Sequence, residues 1–191
     1  GLTDILENYA QITEKKERKT GKKKRGTRQR VQIFPRYHQL DVVRKLLAAA
    51  QQEGPGRRYL IQHSAGSGKS NSIAWLAYQL IGLKHAIGQP VFDSVIVVTD
   101  RVLLDKQIRD TIKQFAQVSA VVGHAQRSGD LRRFLTEGKK LIISTVQKFP
   151  FILDEIGDEH RGRNFAILID EAHSSQGGRV TAKMHLALSE H

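Results

Sequence analysis

A short apolar run that breaks into a glycine-bearing turn and restarts as a helix constrains this chain more than any other feature. Tyr59-Leu60-Ile61-Gln62 leads into His63-Ser64-Ala65-Gly66-Ser67-Gly68-Lys69-Ser70, after which Ile73, Leu76, Ala77, Leu80 and Ile81 recur at helical spacing. A strand, a small loop and a helix in that order make a phosphate-binding turn. Gly66 and Gly68 permit backbone angles at which N–H groups from Gly66 to Lys69 converge on phosphate oxygens. The helix adds its unpaired first donors and the positive end of its dipole. Lys69 then reaches the β- and γ-phosphates of a nucleotide, and the Ser70 hydroxyl can ligate Mg²⁺. Ala65, Gly66, Ser67, Gly68, Lys69 and Ser70 are therefore candidate ATP contacts. The general pattern G-x-x-x-x-G-K-[ST] has glycine at its first position, where this chain has His63.

The rest of the chain supplies the sheet such a turn needs. Ser94-Val95-Ile96-Val97-Val98-Thr99 is a continuous β-branched run, the pattern of a strand covered on both faces. Ala120–Val122, Lys140–Thr145 and Phe165–Ile169 read as further strands. Helical stretches are expected over Val102–Phe115 and Asp130–Thr136, and earlier over a segment with Leu40, Val43, Leu47 and Ala50 on one face that stops at Gly54-Pro55-Gly56. Strands alternating with helices predict an α/β fold with a parallel sheet. Ligands gather at the carboxyl ends of such strands. His63, Asp100, Arg101, Thr145, Asp170 and Glu171 all fall there.

Ile167-Leu168-Ile169-Asp170-Glu171-Ala172-His173 is the second chemical motif. Two adjacent carboxylates at the end of a buried strand are unfavourable unless a cation is near. Magnesium-bound ATP supplies one: Asp170 would hold the Mg²⁺ that Ser70 also touches, and Glu171 would orient the attacking water. Lys69, Asp170 and Glu171 are the candidate catalytic residues.

Charge is unevenly spread. The net charge is +12, but residues 15–30 hold ten of the 31 Lys and Arg and one of the 19 acids, leaving 21 minus 18, or +3, elsewhere. Residues 1–30 are expected to form a basic, mobile N-terminal arm: Leu2, Ile5, Leu6, Tyr9 and Ile12 give residues 1–14 a helical rhythm, and residues 15–30 are either a solvated linker or a strap that contacts phosphates, with the globular domain beginning near Val31. Cysteine is absent, so disulfides and thiolate metal sites are excluded. With no signal core and no apolar run of membrane-spanning length, a cytoplasmic protein is expected.

Five blocks taken together carry a family likeness. Arg36-Tyr37-His38-Gln39, His63 to Ser70, Val97-Val98-Thr99-Asp100-Arg101 with Leu104-Asp105 and Gln107, Ser144-Thr145-Val146-Gln147-Lys148-Phe149, and Asp170-Glu171-Ala172-His173-Ser174-Ser175-Gln176 resemble the restriction (R) subunit of type I restriction-modification enzymes. Asp170-Glu171-Ala172-His173 with the phosphate loop looks like the first RecA-like lobe of a superfamily-two helicase or translocase.

The resemblance implies a P-loop NTPase, with a RecA-like parallel sheet flanked by helices, acting within an ATP-driven double-stranded DNA translocase and endonuclease. Methyltransferase and specificity subunits would be its partners. By the same resemblance Gln39 would read the adenine edge, His173 would couple the nucleotide site to DNA, and Arg101, Thr145 and Gln147 would lie on the DNA-tracking face. On residue type alone Gln39 has a second reading as a solvated residue opening a helix, His173 as a polar residue after a strand, and Asp100 and Thr145 as helix caps. No P-D…[DE]-x-K nuclease signature and no second-lobe arginine motif occurs. The lobe, residues 31–191, is thus expected to be incomplete at its C-terminus and, alone, to bind Mg·ATP weakly without cutting or translocating DNA. Two other readings remain: a basic DNA-binding module with vestigial ATP motifs, and another kind of P-loop NTPase.

Overall fold

The computed structural model describes residues 1–16, 28–64, 66–99, 122–124, 128–145 and 162–170. Its elements are α1 (Leu2–Asn8), β1 (Gln11–Lys16), β2 (Arg28–Ile33), α2 (Tyr37–Glu53), α3 (Lys69–Gly82), β3 (Ser94–Thr99), β4 (Val122–His124), α4 (Ser128–Thr136), β5 (Leu141–Thr145) and β6 (Phe165–Ile169). Four of these strands form a parallel sheet in the order β4-β5-β3-β6. Every residue of β3 and of β5 is buried, as their unbroken apolar runs require.

One face of the sheet holds the main core. Val95, Val97, Leu141, Ile143 and Ala166 join Ala74, Trp75, Leu76, Ala77 and Leu80 of α3 and Val43 and Ala50 of α2. The helix α3 lies against β3 and β6 and packs along α2. Its apolar spacing, read from the sequence, puts Trp75 and Ala77 wholly out of solvent.

Three expectations change. The run Tyr59–Gln62 is not a strand, and Tyr59, Leu60 and Ile61 are exposed, Leu60 to 88%. An apolar run becomes a strand only beside a partner, and no described strand is bonded to it. Of the short strand expected at 120–122, Val122 begins β4, which runs to His124, and Ala120 and Val121 lie outside the described residues; α4 begins two residues before Asp130. The helix expected over 102–115 lies outside the described residues.

Of the basic arm expected over residues 1–30, residues 17–27 lie outside the described residues. Leu2–Asn8 form a helix where the apolar rhythm is helical, and Gln11–Lys16 pairs with Arg28–Ile33 as a two-stranded antiparallel ribbon. Tyr9 is fully buried against Trp75, with ring centroids 5.9 Å apart, and Ile5 and Ile33 pack on the same core. Asp4 accepts an ion-paired hydrogen bond from Arg44 of α2. Ile5, Tyr9 and Ile33 thus supply apolar burial that offsets the ordering entropy of the segments on which they lie.

Candidate nucleotide site

The loop expected to cradle phosphate is held from behind. Gly66 and Gly68 have φ of 74° and 83°, the left-handed region that favours glycine, and Gly68 is the N-cap of α3. No side chain caps that helix start. The N–H groups of Asn71 and Ser72 reach back to the Gly68 carbonyl.

Gln39 supplies the support. Its side chain is buried, 3% exposed, and Nε2 donates to the carbonyl oxygens of Ser67 and Gly68, both at 3.0 Å. Its Oε1 accepts from the Arg36 N–H at 2.8 Å, closing the first turn of α2, which has arginine rather than a capping hydroxyl at its N-cap. The adjacent His38 adds a contact from Nε2 to the Ser67 carbonyl at 3.1 Å. A carbonyl only accepts, so that nitrogen carries the proton. The His63 ring meets His38 edge-on, with centroids 5.4 Å apart.

These contacts set the direction of the loop's donors. In a trans peptide the C=O and N–H point to opposite sides. With the Ser67 and Gly68 carbonyls turned to α2, the N–H groups of Gly68 and Lys69 are turned away from it, to the side where an anion would sit. The Ser67 hydroxyl is buried and has no hydrogen-bond partner among the described residues.

The adenine-edge role that the family likeness implies for Gln39 would use the same amide, whose two N–H donors and carbonyl are all engaged by backbone here. His38 was not singled out from the sequence for any role. Its position beside Gln39 at a helix start was the available signal.

The carboxyl edge of the sheet gathers the other candidates that are described. Thr99 of β3 and Thr145 of β5 are register partners, both buried. Asp170 follows β6, is 3% exposed, and its N–H donates to the Val98 carbonyl at 2.9 Å, which fixes it beside the end of β3. Ala65, Arg101, Gln147, Glu171 and His173 lie outside the described residues. No group of three metal-ligating side chains occurs among those described. The donors that do occur fit Mg²⁺, a hard cation that takes one or two protein oxygens and completes its shell with phosphates and water. A hydroxyl at Ser70 and a buried carboxylate at Asp170 are such oxygens.

Comparison with known proteins gives two matches. Residues 38–191 match the family model of the SWI2/SNF2 ATPase. A curated relative, the type I restriction enzyme HindI endonuclease subunit of Haemophilus influenzae (strain ATCC 51907 / DSM 11121 / KW20 / Rd), is 31% identical over 166 residues. The match covers 78% of this chain and 14% of the relative, so the chain spans about one seventh of that protein's length.

Proposed function

The chain belongs to the SWI2/SNF2 ATPase family, and on that footing we propose that it is the ATP-binding motor lobe of the R subunit of a type I restriction enzyme. Its substrates on this reading are Mg·ATP and double-stranded DNA, and its partners are methyltransferase and specificity subunits. The observation that carries the nucleotide part is the phosphate loop itself, whose Ser67 and Gly68 carbonyls are tied back to Gln39 so that the following N–H groups face outward.

The chain's residues divide the work as follows. The backbone N–H groups from Gly66 to Lys69 bind phosphate oxygens, the Lys69 ammonium reaches the β- and γ-phosphates, and Gln39 with His38 keeps the loop in its receptive shape. Ser70 and Asp170 would hold Mg²⁺, which when bound offsets phosphate charge. Glu171 orients the attacking water. Thr145, with Arg101 and Gln147, faces DNA from the carboxyl edge, and His173 links that edge to the nucleotide.

In the family that the sequence resembles, an arginine from a second lobe completes the site, and such a residue is worth on the order of 10³–10⁵ in rate. The 191-residue chain by itself is accordingly a weak Mg·ATP binder that turns over little ATP and neither cuts nor moves DNA. DNA cleavage belongs on this reading to the whole subunit.

Titration calorimetry with Mg·ATP, alongside ATP turnover with and without duplex DNA, tests the proposal. The expected result is saturable binding that Lys69→Ala removes, with turnover near background. No nucleotide binding by the unaltered chain, or vigorous DNA-stimulated turnover by it, would overturn the reading.

A further inference from the structure

The β1–β2 ribbon has no part in the nucleotide site, and its strands carry four cations, Lys15, Lys16, Arg28 and Arg30, against one acid, Glu14. Its base is pinned to the body: Gln11 is buried, its register partner Ile33 packs on the core, and Tyr9, two residues before Gln11, lies against Trp75. Away from that base the pairs run Glu14 with Arg30, Lys15 with Gln29 and Lys16 with Arg28. Lys16 and Arg28, both cationic residue types, occupy one register pair. Arg30 is exposed. Residues 15–30 contain no apolar side chain larger than a threonine methyl.

A two-stranded ribbon is one of the few elements that fit the major groove of a DNA duplex, and a ribbon whose sequence is rich in Lys and Arg is drawn to phosphate. A membrane surface is matched instead by a helix with an apolar face to insert, which this segment lacks. We propose that the β1–β2 ribbon is a duplex-DNA contact that grips the phosphate backbone, independently of sequence, through Lys15, Lys16, Arg28 and Arg30. It is a second DNA surface, separate from the carboxyl edge of the sheet, and it stands whether or not the chain binds ATP.

Fluorescence anisotropy of a labelled 30-base-pair duplex of arbitrary sequence, titrated with the 191-residue chain across a range of KCl concentrations, tests this. Changing Lys15, Lys16, Arg28 and Arg30 together to threonine keeps strand propensity. The expected result is at least about a tenfold loss of affinity near 0.1 M salt and a shallower salt dependence. Each phosphate contact contributes about 0.9 to the slope, so the slope should fall by about 2 to 3.6. Mg·ATP binding should stay as it was, which separates failure of this inference from failure of the nucleotide reading. The double variant Lys16→Thr/Arg28→Thr guards against misfolding: it should weaken DNA binding while leaving the melting temperature equal or higher, whereas residues with a merely structural role would lower it. Unchanged affinity and salt slope in the quadruple variant would overturn the proposal. So would a chain that ignores duplex DNA but binds phosphatidylserine vesicles through the same four residues.

Discussion

Gly68 sits so close to Gln39 that a Cβ built on it would lie 2.4 Å from the Gln39 amide nitrogen, the same atom that donates to the Gly68 carbonyl at 3.0 Å. The position therefore needs glycine twice over, for its φ of 83° and for the approach of the amide. Gly66 has a similar φ of 74° but open space where a Cβ would go. Gly66→Ala should cost only the left-handed backbone penalty, about 1–2 kcal/mol. Gly68→Ala should cost more, about 2–5 kcal/mol, as the Gln39 hydrogen bonds are displaced as well. Urea unfolding of the two variants gives the comparison.

The same contact predicts a coupling. In a Gln39→Ala background the atom that obstructs a Cβ at Gly68 is gone, so Gly68→Ala should be milder there. A double-mutant cycle on stability should show a favourable interaction of about 0.5–3 kcal/mol. Strict additivity would mean that the two residues do not act as a unit.

Gln39 also separates two roles. Its donors and its carbonyl are engaged with Ser67, Gly68 and Arg36, so Gln39→Ala should weaken ATP and GTP binding by similar factors through the disturbed loop. A reader of the adenine edge would instead lose ATP affinity selectively. Competition of the two nucleotides against one fluorescent analogue decides between them.

What could be read from the sequence was what depends on neighbours in sequence or on burial of a whole run. Ser94–Thr99 and Phe165–Ile169 came out as strands at the expected residues because an unbroken apolar run suits a strand in the middle of a layered fold. Tyr59–Ile61 has the same composition but no bonded neighbour among the described strands, and composition does not report partners. At the N-terminus the helical rhythm of Leu2, Ile5 and Leu6 was legible, but not its packing, which rests on Tyr9 meeting Trp75, 66 positions later. In the site, the glycines and Lys69 were visible as a local motif. The hold of His38 and Gln39 on Ser67, across 29 and 28 positions, needed the fold.

The docking of α1 has a pH signature. Asp4 is held below the ordinary carboxylate value of 3.8, chiefly by its hydrogen bond from Arg44, with partial burial opposing. A carboxylate depressed in the folded state stabilises it fully above the unfolded value and ceases to do so as pH falls through the folded one. Because the pair is largely exposed, the contribution is small. Asp4→Asn should therefore lower stability slightly at pH 7, and the difference should fade below pH 3.8. The fluorescence of Trp75, the chain's one tryptophan, follows unfolding at each pH.

Asp170 gives the most direct test of whether the second motif serves the first. Its backbone is fixed by the Val98 carbonyl and its residue is nearly buried, so Asp170→Asn keeps the shape and the hydrogen-bonding capacity while removing the charge. If that charge and the Ser70 hydroxyl hold Mg²⁺ on bound ATP, Asp170→Asn and Ser70→Ala should each reduce the gain in nucleotide affinity that Mg²⁺ confers and leave metal-free binding through Lys69 largely intact. Titrating a fluorescent ATP analogue with and without Mg²⁺ measures that gain. A variant that weakened binding equally in both conditions would mean that Asp170 supports the loop's structure and holds no metal.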